Sequence, residues 1–556
     1  MTIQTCWARL RHGRSKEAGY VAVMTAMLLM TLMGLAAFAV DVGHWYQVGQ
    51  QEQAAADAAA MAGVTYLPGD STSAFSTART YSKINGFQDG VSSTTVTPAV
   101  DGQPTRLRVT VKRSVTNFFG SLLGLPSTTV ARTAVADYSE PVPMGSPCNE
   151  FGNDPDQASY RATACSGVLG QFWANVNSPG SDKANGDAYQ SVSCLTAADG
   201  CTGSTNNDYA TDGYYYTVSV KAPMTSLTIQ LFDPVFVSTG SPCDTNFGSG
   251  STAATAARND LVSDEATRYA AGASGAYCTG DYLFDPSNNT TPMNTQFTVR
   301  DPGTSAWDPS TFPVHTGCQR TYPGYSGTLF NVLNKASTST FNLGQPAVNG
   351  NGTIVDGFRR WTTLCTITNP VVGDYLIQVK TKLGTSDNAN ASNHFAIRAY
   401  GSVGTDKESL SVFGREKMSI DSNAPGVTTE FHLARIPSVD AGQILNIRLF
   451  DVGDSTTSGT ITVVYPPLAA GGPFTGCVGT GPASGTLSGC SFTASSTFNG
   501  HWESLAVPIP ASYSCADADY TQCWVRLRYN YGSGSKPTDV TSWTTSIQGD
   551  PVRLVE

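Results

Sequence analysis

GYVAVMTAMLLMTLMGLAAFAV, residues 19–40, runs directly into DVGHWYQVGQQEQAAADAAAMAG, residues 41–63. The first part holds 22 residues without a charge. At about 1.5 Å per residue that is enough to cross a hydrocarbon core of roughly 30 Å. The second part continues the helix, because its two alanine triplets have the best intrinsic helix propensity. Gly63 stands where this helix is expected to stop, and Pro68 bars it from running much further. Side chains of methyl size also leave a thin face on which another helix can approach closely.

Working outward, residues 1–18 carry Arg9, Arg11, His12, Arg14 and Lys16 against one acid, Glu17. On the far flank Asp41, Glu52 and Asp57 precede the first base, Arg79. This asymmetry predicts a cytoplasmic N-terminus and an extracytoplasmic C-terminal body. Two processing routes compete with a retained anchor. Ala37-Phe38-Ala39 has the small-x-small form of a signal-peptidase site, but the apolar run exceeds the roughly 7–15 residues of a signal-peptide core. Prepilin-type cleavage after a glycine leaves a glutamate five residues on, and Gly19 is followed there by Met24. A retained single-pass anchor is therefore the expectation.

Asp41-Val42-Gly43 directly after the span, then Gln53 and Ala55-Ala56-Asp57-Ala58-Ala59-Ala60-Met61-Ala62-Gly63, resembles the N-terminal signature of the TadG-like (TadE/G-like) Flp pilus-assembly proteins of the tight-adherence system. The motif positions are Asp41, Gly43, Gln53, Asp57 and Gly63, in unbroken register over about 45 residues. The sequence departs from the family at Glu52, where an apolar residue usually precedes the glutamine. The resemblance implies a membrane-anchored component of a pilus-assembly or secretion machine, with other pilus-assembly proteins as partners and no catalysis through this segment.

The remainder is bounded by composition. At 556 residues the chain is too long for one core, and only 14% of it is charged. A net charge of -10 with no long basic run beyond residue 16 gives nucleic acid no binding surface. Of 13 cysteines, Cys6 precedes the span. Cys148, Cys165, Cys194, Cys201, Cys243, Cys278, Cys318, Cys365, Cys477, Cys490, Cys515 and Cys523 follow it. An even dozen beyond the membrane, none in a tight CxxC or CxxH cluster, reads as disulfides in an oxidising compartment rather than zinc sites. Spacing does not fix connectivity, although Cys194 with Cys201 and Cys515 with Cys523 are natural neighbour pairs.

The expected fold is an N-terminal transmembrane helix and a small α+β module, followed by a mainly β body of two antiparallel sandwiches braced by disulfides. In order, residues 1–18 form a basic tail, 19–40 the span, 41–67 the alanine-rich continuation and 70–140 the module. Within the module, 74–85 reads as helix, 94–100, 106–112 and 128–138 as strands, and 115–123 as a short apolar helix. Residues 141–147 (PVPMGSP) form a linker. Beyond it YYYTVSV (214–220) and LTIQLFD (227–233) return as FHLARIP (431–437) and ILNIRLFD (444–451). Strands at 375–381 and 394–400 follow the first copy, and strands at 501–509 and 523–529 the second. This repeat predicts one sandwich over 148–405, with an insertion at 238–365 holding a helical candidate at 252–271, and a second over 410–556. One long irregular β domain is the alternative.

Catalytic motifs are missing: there is no HExxH, GxSxG or GxxxxGK[ST]. Asp451-Val452-Gly453-Asp454-Ser455 resembles a DxSxS metal-adhesion loop, but Gly453 replaces the first serine and the repeat copy reads Asp233-Pro234-Val235. An aspartate capping the turn after a strand explains both. Acidic loops at 182–187 and 206–212 offer oxygens to calcium, but neither follows an EF-hand spacing and they read as solvated turns. The aromatics Tyr214–Tyr216, Trp361, Trp502, Trp524 and Trp543 offer flat apolar area to a glycan, but tryptophans of a sandwich read as core, Trp524 in CWVRLRY above all. The reading is a non-enzyme without a cofactor or metal. A surface adhesin or glycan-binding protein using the same anchor is the alternative, and a secreted hydrolase of unfamiliar type stands behind it.

Overall fold

The alanine-rich stretch does more than extend the span: it turns one uninterrupted helix from lipid-facing to protein-facing. Helix α1 runs from Ala18 to Val64. Its apolar residues up to Val40 are exposed apart from half-buried Ala37, whereas from Asp41 onward a buried stripe recurs at helical spacing through Val48, Glu52, Ala55, Ala56, Ala59, Ala60 and Val64. The computed structural model describes residues 18–67, 70–102, 105–152, 172–238, 281–284, 293–326, 340–341, 352–353, 357, 361–384, 389–402, 406–423, 427–453, 457–533, 535, 537–548 and 551–555. The basic tail, Cys6 and the helical candidate at 252–271 lie outside these residues. The chain divides into two compact units, residues 1–139 with 549–556, and residues 140–548.

In the first unit α2 (Ser71–Ile84) is capped by Asp70, which accepts the Ser73 amide at 2.9 Å and its hydroxyl at 2.6 Å. Strands β1 (Thr94–Val100), β2 (Arg106–Thr116) and β3 (Ser127–Tyr138) form an antiparallel sheet with Val96 opposite Val111 and Val109 opposite Ala134. The alternation of LRVTVKRSV buries Leu107, Val109, Val111 and Val115, the face on which α1 and α2 pack. The apolar helix expected at 115–123 does not form as such. Val115 stays in the ladder opposite Thr128, and only Gly120–Leu123 makes a 3₁₀ turn, ended by Gly124 at φ 81°. β-Branched Val115 and Thr116 favour the strand.

The second unit carries the repeat. Its first copy holds β4 (Pro143–Met144), β5 (Trp173–Asn177), β6 (Tyr214–Val220), β7 (Ser226–Phe232), β8 (Thr295–Arg300), β9 (Val314–Tyr322), β10 (Trp361–Thr368), β11 (Gly373–Lys380) and β12 (Ala391–Gly401). The second holds β13 (Leu410–Arg415), β14 (Lys417–Asn423), β15 (Thr428–Arg435), β16 (Ile444–Phe450), β17 (Gly459–Val464), β18 (Trp502–Pro508), β19 (Trp524–Tyr531) and β20 (Thr538–Ile547). The pairings correspond: β6 pairs with β11 as β15 does with β19, β7 lies between β10 and β12 as β16 lies between β18 and β20, and β8 flanks β11 as β17 flanks β19. All of these pairs are antiparallel.

Two expectations change here. Residues 238–365 are not wholly an insertion, because β8, β9 and most of β10 lie within them and β8 completes a ladder with β11. The correspondence also shifts: the downstream strand at 373–380 answers 524–531, and 391–401 answers 538–547, with Trp361–Thr368 as the missing partner of Trp502–Pro508. The copies are moreover joined in both ladders. In one, β5 of the first copy pairs with β14 of the second, Ala174 opposite Ile420. In the other, β13 pairs with β6 while β4 pairs with β15. A single buried core runs from Val218 and Ile397 to Leu433, Ile447 and Trp543, so compactness is unbroken across 405–410.

The last strand, β21 (Val552–Leu554), belongs to the first unit instead of the second sandwich, with Ala136 opposite Leu554. Arg553 explains the placement: it lies 3.7 Å from buried Asp137, which Arg106 also approaches at 3.4 Å. Disulfides join Cys194 to Cys201, Cys318 to Cys365, Cys477 to Cys490 and Cys515 to Cys523. Cys148 is disulfide-bonded as well, and Cys165, Cys243 and Cys278 lie outside the described residues.

Candidate functional site

Asp41 is the first charge after the span, and its carboxylate is buried. It accepts the backbone N–H of Phe118 at 2.8 Å, of Phe119 at 3.1 Å and of Gly120 at 2.7 Å, the open end of the 3₁₀ turn. Burial works against its charge, but these three amides, helped by His44, outweigh it and hold the carboxyl below its ordinary range. One turn on, the Trp45 indole donates to Asn117 Oδ1 at 2.8 Å, and the His44 ring lies 4.9 Å from that of Phe118. The end of the span is thereby pinned to the loop between β2 and β3.

Further along the stripe, backbone packing dictates the small residues. A Cβ on Gly63 would lie 2.6 Å from both the Ala74 carbonyl oxygen and Leu107 Cδ2, so this glycine permits the close approach of α2 and β2 rather than merely ending the helix. Gln53 donates to Asp57 at 2.8 Å and reaches the Thr133 carbonyl at 3.3 Å. Gly43 faces open space. Glu52 sits mid-stripe, fully buried, with neither carboxylate oxygen hydrogen-bonded. Burial pushes its carboxyl up to about 7, tempered by Arg132 and Arg113.

This stripe and the span before it are what the comparisons with known proteins recover. Residues 19–65 match the family model described as putative Flp pilus-assembly TadE/G-like. The N-terminal region is TadE/G-like. Its match ends one residue past α1, so the TadE/G-like region and the helix are the same object. No curated protein and no solved structure matches the chain. Of the residues the motif singles out, Asp41, Gln53, Asp57 and Gly63 of the TadE/G-like helix each hold it to the module or brace it. The docking partners Asn117 and Phe118–Gly120 carry no motif, and the sequence marked them only as part of the apolar stretch at 115–123.

The β body offers no comparable site among its described residues. The acidic loops are locks for turns: Asp182 accepts the Leu195 and Thr196 amides, and buried Asp187 accepts three amides and the Tyr214 hydroxyl. Asp208 pairs with buried Lys183 at 2.6 Å. The two clusters with metal-ligand composition, His315–Cys318–Cys365 and Cys515–Asp517–Cys523, have their thiols spent in disulfides. Asp233 and Asp451 take the same left-handed conformation, φ 51° and 61°, after equivalent strands, and Asp451 accepts the Gly500 amide. They are turn residues of the repeat, flanked by antiparallel strands. Trp502, Trp524, Trp543, Tyr214 and Tyr216 are core, while half-buried Trp361 lies under Arg398 at 4.1 Å. A relay of Ser392, His394 Nε2 at 3.0 Å and Asp421 at 3.7 Å from Nδ1 has the order of a hydrolase triad. Ser392 and His394 are sealed from solvent, however, and the serine hydroxyl is donated to Asn175 at 2.5 Å. This cluster lies along the β5–β14 junction and fixes its register.

Proposed function

We propose that this chain is a membrane-anchored, non-enzymatic component of a Flp/tight-adherence-type pilus-assembly or secretion machine. Its N-terminus is cytoplasmic, and its β body is an extracytoplasmic scaffold or contact surface. The observation that carries this reading is the single helix whose matched residues serve first as span and then as the spine of a folded module. The basic tail and the disulfides of the body support the orientation. Beyond Asp41 the helix keeps one face unburied, at Tyr46, Gln50, Ala54 and Met61, and this face is available to partner helices of the machine. Photo-crosslinkers at Tyr46, Gln50 and Met61 in the native host are expected to capture another pilus-assembly component. Recovery of no such component at any of the three positions overturns the reading.

A further inference from the structure

The turn between β2 and β3, NFFGSLLGLP, lies within residues 114–131, a run with no charged side chain. Phe118, Leu122, Leu123 and Leu125 are 60%, 82%, 84% and 63% exposed, and Phe119 43%. Five large apolar side chains presented outward by eight consecutive residues exceed the scattered exposure normal for a folded surface. The turn is nonetheless held in shape. Asn117 donates from Nδ2 to the Leu125 carbonyl at 2.9 Å and from its amide to that of Pro126 at 3.0 Å. The Leu125 amide closes on the Gly120 carbonyl at 3.0 Å.

Its position says what it faces. Three amides of this turn are bound by Asp41, the residue at which α1 leaves its uncharged run. Phe118 contacts His44, and Trp45, which holds Asn117, makes an edge contact with Phe38 at the end of the span. The exposed apolar surface of the turn thus adjoins the end of the exposed apolar run of α1, with Asp41 buried between them. Tryptophan with a satisfied indole is the side chain expected at the level where hydrocarbon gives way to headgroups.

We infer that residues 118–125 are a second, shallow membrane contact, inserting Phe118, Leu122, Leu123 and Leu125 into the leaflet from which α1 emerges. The inference rests on residues 19–40 being a membrane span. With no lysine or arginine in the turn, the hydrocarbon boundary is recognised rather than anionic headgroups. Two attachment points, one through the bilayer and one on it, would fix the tilt and rotation of α1 and hold the module against the surface.

The test uses the full-length chain in a Cys6→Ser background with its disulfides intact, reconstituted at low density in phosphatidylcholine vesicles. A single NBD-labelled cysteine replaces Leu122, Leu29 in the span, or exposed Thr97 on β1. The Leu122 label should be blue-shifted, quenched by lipids bearing nitroxide near the headgroup and protected from iodide. The Leu29 label should respond to deep nitroxides and the Thr97 label to iodide alone. Iodide quenching at Leu122 equal to that at Thr97, with Leu29 still in hydrocarbon, overturns the inference alone, whereas an accessible Leu29 overturns the span. Protection of Leu122 that vanishes on dilution in lipid assigns the turn to contacts between copies and overturns it as well. Phe118→Cys label protection should be lost when Leu122→Ser and Leu123→Ser are combined, and its retention also counts against insertion.

Discussion

At the scale of the residue, the two carboxylates on the buried stripe behave oppositely because their surroundings do. Asp41 has three N–H donors, and its removal strands them at the mouth of the turn. Asp41→Ala should raise amide exchange at Phe118, Phe119 and Gly120 by about tenfold or more, read by hydrogen-exchange mass spectrometry. Glu52 has no hydrogen-bonding partner. Its folded-state value near 7 lies above its ordinary 4.5, so folding holds the proton through a window in which the unfolded chain has lost it. Glu52's contribution to the stability of the first unit is therefore fully present below about 4.5 and is lost as the pH rises to about 7, opposite in sign to that of Asp41. The slope is at most roughly 1.4 kcal/mol per pH unit, and less where solvent screens the carboxyl. Glu52→Gln should flatten the dependence of the melting temperature on pH across that window, and an unchanged profile would refute the assignment. Asp41 was legible as a motif position, and Glu52 as a departure from it. What each does was not, because the donors that satisfy the one lie 77 to 79 residues away.

At the scale of the element, the alanine-rich helix could be read for propensity and for its thin face, but not for what would lie on that face. The structure gives the answer in β2, β3 and α2; the strand alternation and the helical stretch at 74–85 were legible, whereas the Asp70 cap that starts α2 at Ser71 was not. Residues 115–123 were misread as helix because NFFGSLL has no strand alternation, whereas the tie to Asp41 holds its end as a 3₁₀ turn. Gly63 shows the same limit. Its place in the sequence suggests a stop, whereas its neighbours show a crossing point with no room for a methyl group. Gly63→Ala should cost roughly 1–3 kcal/mol through forced separation of α1 and α2, seen as a lower melting temperature of the purified protein in detergent. A neutral result would mean that the helices can slide apart without loss.

At the scale of the molecule, the repeat was legible in LTIQLFD and ILNIRLFD because strand sequence and turn residue are local. The joining of the copies was not, since Pro143-Met144 and LSVFGR say nothing about which sheet each will enter. Each copy contributes a strand to a ladder of the other, β13 to β6 and β4 to β15, and β5 pairs with β14. An exchange of this kind removes the exposed edges that separate sandwiches would present. The junction is lined with partnered polar groups: Asn175 donates to Ser419 at 2.7 Å and accepts from Ser392 at 2.5 Å. Such groups stabilise one register because a slipped register would leave them unsatisfied. Residues 140–548 should accordingly unfold in one cooperative urea transition when followed by near-ultraviolet circular dichroism of their buried tryptophans. Fragments 140–405 and 406–548 each lack a strand that the other supplies, so each alone should show no such transition, and mixing them during refolding should restore it. Independent cooperative unfolding of both fragments would mean that the copies are self-sufficient sandwiches and that the exchanged strands contribute little to either.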